Sequence, residues 1–179
     1  MLRLFLKILK TPIAPIAVSM AEDAHRDECE AIGKKIGERV KTLFRGSLAI
    51  RQIDAGSDNA GEQELVALSN AFYDVDRFGI HFVASPKHAD MLFVTGPVTR
   101  NMAKALKKAY EVTPDPKIVV AVGDDARDGG IYKDSYAVVG GVSAVIPVDY
   151  HIPGDPPTPL ATLRHLLSIL ETIDQSPKK

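Results

Sequence analysis

The sequence predicts an α/β domain, a mostly parallel sheet covered by helices on both faces. Three observations carry this. Strand-like apolar runs alternate with segments of helical periodicity along the chain. The runs "MLFVTG", "KIVVAVG" and "SAVIPV" are apolar enough for strands covered on both faces. Loops rich in glycine and aspartate follow several strands, where α/β folds place their functional surface.

A chain of 179 residues, 45% hydrophobic and 25% charged, has the composition of one globular domain. A net charge of −1 and 6% aromatic content argue against nucleic acid as a partner. Cys29 is the only cysteine, so the chain forms no internal disulfide and lacks the thiolates of a structural zinc or iron–sulfur site. It reads as a small, semi-buried helix residue.

The elements follow in order. "MLRLFLKILK" is interrupted by Lys7 and Lys10 and stopped by Pro12, well short of the roughly 20 apolar residues that span a bilayer. Those two lysines also count against a signal peptide. Arg3, Lys7 and Lys10 share one helical face, and leucines, isoleucine and Phe5 occupy the rest. Residues 1–21 are therefore expected to form an amphipathic segment that docks on a membrane surface or a partner, or packs on its own domain. Residues 22–179 make the α/β domain.

From Glu22 to Phe44, Ile32, Ile36, Val40 and Leu43 recur at helical spacing, with Gly33 and Gly37 as places to bend. "SLAIRQIDAG" is a strand ending in a glycine turn. "EQELVALSNAF" is a helix with Leu65, Leu68 and Phe72 on one face. "IHFVA" and "MLFVTG" are strands, a helix follows from Thr99 to about Tyr110, and "KIVVAVG" and "SAVIPV" are strands before a last helix from about Leu160 to Ile173.

This order brings three loops to one rim of the sheet: "DAGSDNAGEQE", "GDDARDGGIY" and "IPGDPPTP". Asp58, Asp125 and Asp155 converge there. With Asp124 or Asp128 they form a candidate magnesium or calcium site, although no known calcium-loop spacing is present. A phosphate cradle is rejected, because acids stand where backbone amides and a lysine are wanted. No serine elbow or Cys–His pairing supports nucleophilic catalysis. His88 and His165 read as hydrogen-bonded structural residues.

The long stretch "RFGIHFVASPKHADMLFVTGPVTRNMAKALKKAYEVTPDPKIVVAVGD", continued by "YAVVGGVSAVIPVDYHIPGDPPTP", resembles a known family. It is the small, cluster-bearing 20 kDa-type subunit shared by respiratory complex I and energy-converting NiFe hydrogenases, especially the hydrogenase-4 and formate hydrogenlyase branch. The resemblance covers about residues 46 to 170 and implies a flavodoxin-like sheet. In that family four cysteines on the three loops hold a 4Fe-4S cluster. Two come from a Cys-x-x-Cys segment, one from Gly-x-Cys-Ala-x-x-Gly-Gly and one from Pro-Gly-Cys-Pro-Pro.

Here those positions read Asp58, Gly61, Asp125 and Asp155. Carboxylates are poor substitutes for soft sulfur, and Gly61 has no side chain, so no cofactor is expected where the family carries its cluster. Glu64 matches an acidic family position facing the large subunit, which implies a proton relay or an interface contact; a solvated helix-start glutamate is the plain reading. Lys87 departs from the arginine common after "SP" in the family. Arg127 is a candidate counterion for the aspartates.

The resemblance implies a non-redox scaffold or coupling subunit, peripheral at the cytoplasmic face of the inner membrane. Its partners would be a hydrogenase large-subunit-like or quinone-module-like protein and antiporter-like membrane subunits. Two other functions stand beside it: a subunit of an active oxidoreductase whose electrons bypass this chain, and a divalent-metal-binding regulatory module.

Overall fold

Five strands form one parallel sheet in the order β2-β1-β3-β5-β7. They are β1 (Leu48–Asp54), β2 (Ile80–Phe82), β3 (Met91–Thr95), β5 (Ile118–Val122) and β7 (Tyr150–Ile152), and β4 (Val98–Thr99) pairs antiparallel with β6 (Val138–Gly140) beside it. This computed structural model describes Arg3 and residues 21–175, so the expected docking segment 1–21 lies almost wholly outside the described residues. The order is that of a flavodoxin-like sheet.

Alternation along the strands divides the core into two layers. On one face Met91, Phe93, Val120 and Val122 pack under α1 (Ala21–Phe44) and α5 (Pro159–Gln175), through Ile36, Val40, Leu163, Leu166 and Leu170. On the other, Leu92, Val94, Val119 and Ala121 pack under α3 (Arg100–Val112) and α4 (Asp124–Asp128), through Leu106 and Ala126. All five residues of β3 are buried. Fully burying one such side chain contributes about 1.5–3 kcal/mol.

Helix α1 runs unbroken past Gly33 and Gly37. The aromatic ring of Phe78 lies over Gly33, where a Cβ would stand 2.1 Å from it. Arg39 pairs with Asp174 at 2.6 Å and Arg164 pairs with Glu28, so α1 and α5 run in the same direction. Both therefore start at the carboxyl-end rim of the sheet and finish at the opposite pole.

Two expectations need correction. "SAVIPV" is not a strand: Val142–Ala144 is a 3-10 turn, and pairing with β5 begins only where Asp149 N donates to Val119 O at 2.9 Å. Tyr150–Ile152 supports the third loop instead. Helix α2 (Ala60–Ala67) buries Leu65 and is followed by buried Leu68, but it ends before Phe72, which is 39% exposed and stands edge-on to Tyr73.

Candidate functional site: an acidic cavity at the strand ends

The first rim loop is tied down by its own side chains. Asp54 Oδ1 accepts from Gly56 N and Ser57 N at 2.7 and 2.9 Å, and Asp58 Oδ1 accepts from Ala60 N at 3.0 Å. The loop reaches β3 through Ala55 N, which donates to Thr95 O at 3.1 Å. Gly61 sits in the first turn of α2, where a Cβ would stand 3.3 Å from Thr95 Cγ2.

The second and third loops hold each other. Gly123 N donates to Ile152 O and Asp124 N to Gly154 O, both at 2.8 Å. His151 Nε2 lies 3.1 Å from Gly123 O, bracing the same junction from β7. Gly154 has φ +135°, and a Cβ there would stand 2.6 Å from Pro157 Cα. That close approach requires glycine. The peptide bond between Asp155 and Pro156 is cis.

Asp58, Gly61, Asp125 and Asp155, the four positions singled out by the sequence, line one cavity. Its volume is about 20 Å³. That is room for roughly one water molecule. Asp125 Oδ1 is buried and has no hydrogen-bond partner among the described residues. Burial, then the charges of Asp155, Asp58, Asp124 and Asp128, push the Asp125 carboxyl above its ordinary value.

Arg127 reaches the edge of this cavity but pairs with none of Asp58, Asp125 and Asp155. Its guanidinium lies 3.1 Å from Oδ1 of Asp124, which also lines the cavity, and 3.0 Å from Asp128 outside it. The expected counterion therefore serves the two aspartates that flank Asp125 in α4. Among the described residues no group of three or more His, Cys, Asp or Glu side chains is arranged to hold a metal ion.

Glu64 does not line the cavity. It is half-buried, makes no hydrogen bond or ion pair among the described residues, and lies near Tyr73, whose hydroxyl is pushed up by burial, then by Cys29 and Glu64. The acid that sequence reasoning missed is Glu62. Its carboxylate accepts hydrogen bonds from both Ser57 Oγ and Thr95 Oγ1, locking the first loop to the end of β3. An acidic residue at the third position of a helix was the available signal.

Of the histidines considered, His165 Nδ1 lies 2.8 Å from Ala161 O, a structural contact one helical turn back. His88 is exposed and its ring makes no hydrogen bond among the described residues. Cys29 is 3% exposed in α1, and burial followed by Glu28 pushes its thiol up.

Residues 59–169 match the family described as NADH ubiquinone oxidoreductase, 20 Kd subunit. The chain belongs to this family. Subunit 7 of formate hydrogenlyase from Escherichia coli (strain K12) is 40% identical over 146 residues, covering 82% of this chain but only 57% of the relative. A probable membrane-bound hydrogenase subunit of Pyrococcus furiosus is 38% identical over 149 residues, covering 83% of this chain and 89% of the relative. A chain in the structure of the membrane-bound sulfane sulfur reductase, an archaeal respiratory membrane complex, superposes with a TM-score of 0.67 at 36% identity, over 78% of this chain and 77% of that one. An NAD+-reducing [NiFe]-hydrogenase chain shares the fold at 18% identity and a TM-score of 0.56, over 74% of this chain and 95% of that one.

The residues of this 20 Kd-subunit homologue do not fit the cluster that the resemblance implies. Three hard carboxylates and a glycine stand where the resemblance places soft donors. The one thiol of the chain is buried in α1 and does not line that cavity.

Proposed function

We propose that this chain is a non-redox scaffold or coupling subunit of a membrane-associated assembly of the energy-converting hydrogenase and complex I type. The observation that carries the proposal is the cavity lined by Asp58, Gly61, Asp125 and Asp155, which offers carboxylates and no thiolate. In this reading the family's loops remain because they form the seat of a neighbouring subunit, while the electron carrier is gone. Relatives named as subunits of formate hydrogenlyase and of a membrane-bound hydrogenase support that setting.

Carboxylates lacking internal counterions would be costly to bury against a neutral surface, so the seat fits a partner that brings cations. A hydrogenase large-subunit-like or quinone-module-like protein has that role in the proposal, with antiporter-like membrane subunits beyond it. Glu64, on the same end of the molecule, serves as an interface contact or proton relay. Residues 1–21 dock the chain on the membrane surface or a partner. The chain sits peripherally at the cytoplasmic face of the inner membrane in this proposal; among the described residues no helix is long and apolar enough to cross a membrane.

The test is simultaneous replacement of Asp58, Asp125 and Asp155 by alanine, followed by co-purification with the large-subunit-like protein. Loss of assembly with the fold retained is the expected result. Unchanged assembly removes the support for an electrostatic seat.

A further inference from the structure

The two most exposed large apolar side chains among the described residues stand beside the acidic cavity. Ile131 is 82% and Tyr136 89% exposed. Both belong to the segment that leaves α4 and returns as β6. At its start a Cβ on Gly130 would overlap Asp125 Oδ1, so the segment rises directly from the cavity wall. Near its end Arg100 holds it: Arg100 Nε donates to Tyr136 O at 2.6 Å and Arg100 N to Ala137 O at 2.9 Å. The neighbouring Thr99 N donates to Ala55 O at 2.9 Å, which ties that end to the first rim loop.

Tight turns order the backbone between those ends. Ser135 N donates to Tyr132 O at 2.9 Å, and Val138 N to Ser135 O at 3.1 Å. A large side chain held in solvent on an ordered backbone loses little freedom when a partner covers it. Tyrosine is also among the residues that dominate the centres of protein interfaces.

Charge selects what covers them. Asp58, Asp124, Asp125 and Asp155 line the cavity, and no lysine, arginine or histidine does. Around it the segment and its supports add Asp128 and Asp134 against Arg100, Arg127 and Lys133. Six acids therefore stand against three cations, and Arg127 is already taken up by Asp124 and Asp128. An anionic membrane surface repels such a pole, and a second copy of the chain would bring the same sign against itself. We propose that Ile131 and Tyr136 anchor the docking of another protein subunit, whose face offers apolar pockets to both side chains and directs lysine or arginine at Asp58 and Asp155. This rests on the reading of the cavity as a subunit seat and adds the side chains that hold the subunit there.

The test uses the natively assembled complex. Cys29 is buried, so a cysteine introduced at either anchor can be labelled selectively with a maleimide. Ile131→Cys and Tyr136→Cys are expected to react about tenfold more slowly in the complex than in the free chain. The double variant Ile131→Ser/Tyr136→Ser should weaken association about thirtyfold at an unchanged melting temperature. Equal labelling rates in the complex and the free chain overturn the proposal. So does protection of the free chain that grows with its concentration, which assigns the surface to a second copy. Protection of the free chain that is lost on deletion of residues 1–20, or is produced by phosphatidylglycerol vesicles, overturns it in favour of the chain's own basic end or of lipid. Equal labelling, with assembly still lost in the Asp58/Asp125/Asp155→Ala variant, removes this inference and leaves the scaffold reading. Protection in the complex together with iron bound by this chain removes the non-redox reading and leaves this inference.

Discussion

Thr95 Oγ1 donates its hydrogen bond to the carboxylate of Glu62, joining the last residue of β3 to the first turn of α2. Thr95 is fully buried, and its one proton has Ile53 O at 3.3 Å as the alternative acceptor. Thr95→Val leaves the half-buried carboxylate one donor short. It is expected to lower stability by about 1–3 kcal/mol, read from the denaturation midpoint at unchanged slope. Glu62→Gln should cost less, because an amide oxygen still accepts from one hydroxyl.

Asp125 gives the fold a pH dependence with a definite sign. Its carboxyl is raised above the ordinary value of 3.8 by burial and by neighbouring aspartates. The folded state therefore holds a proton that the unfolded state has released, and this contribution to stability falls as pH rises from the ordinary value through the raised one. Above that window the penalty is fully present. Asp125→Asn should raise the melting temperature at neutral pH and flatten that part of the stability profile, while leaving it unchanged below pH ~3.8. Thermal melts of both proteins across acid to neutral pH decide the matter.

Gly141 tests the packing of α4 independently of charge. Its φ of −76° is open to any residue, so backbone conformation does not demand glycine. A Cβ there would stand 2.1 Å from Arg127 O, a backbone atom that cannot swing aside. Gly141→Ala is expected to destabilise by about 1–3 kcal/mol and to shift the amide resonances of α4. A neutral result would show that the junction is looser than described.

Cys29 should behave as an inert core residue. With its thiol buried and pushed up, a thiol reagent at neutral pH is expected to label the native chain far more slowly than the unfolded one. Labelling at the same rate in both states contradicts that assignment.

The sheet was readable because its strands are continuous apolar runs, and Met91–Thr95 and Ile118–Val122 fall where the pattern puts them. "SAVIPV" misled because apolar content does not determine pairing; Tyr150–Ile152 is short, but it is the segment with a partner in β5. The three rim loops were legible from glycine and aspartate spacing, and their convergence followed from topology. Which acid turns inward was not: Glu62 and Glu64 differ by two helical positions, and only the placement of Thr95 and Ser57 selects Glu62. Likewise Arg127 lies two residues from Asp125 in α4, yet its exposed side chain pairs with Asp124 and Asp128 instead.

The most direct measurement is iron and acid-labile sulfide analysis of the natively assembled complex, with electron paramagnetic resonance on the reduced sample. Each signal is assigned to a subunit by comparing assemblies with and without this chain. No iron, sulfide or resonance should disappear when the chain is left out. A cluster signal that belongs to this chain, and is lost on Asp125→Ala and Asp155→Ala, would contradict the account.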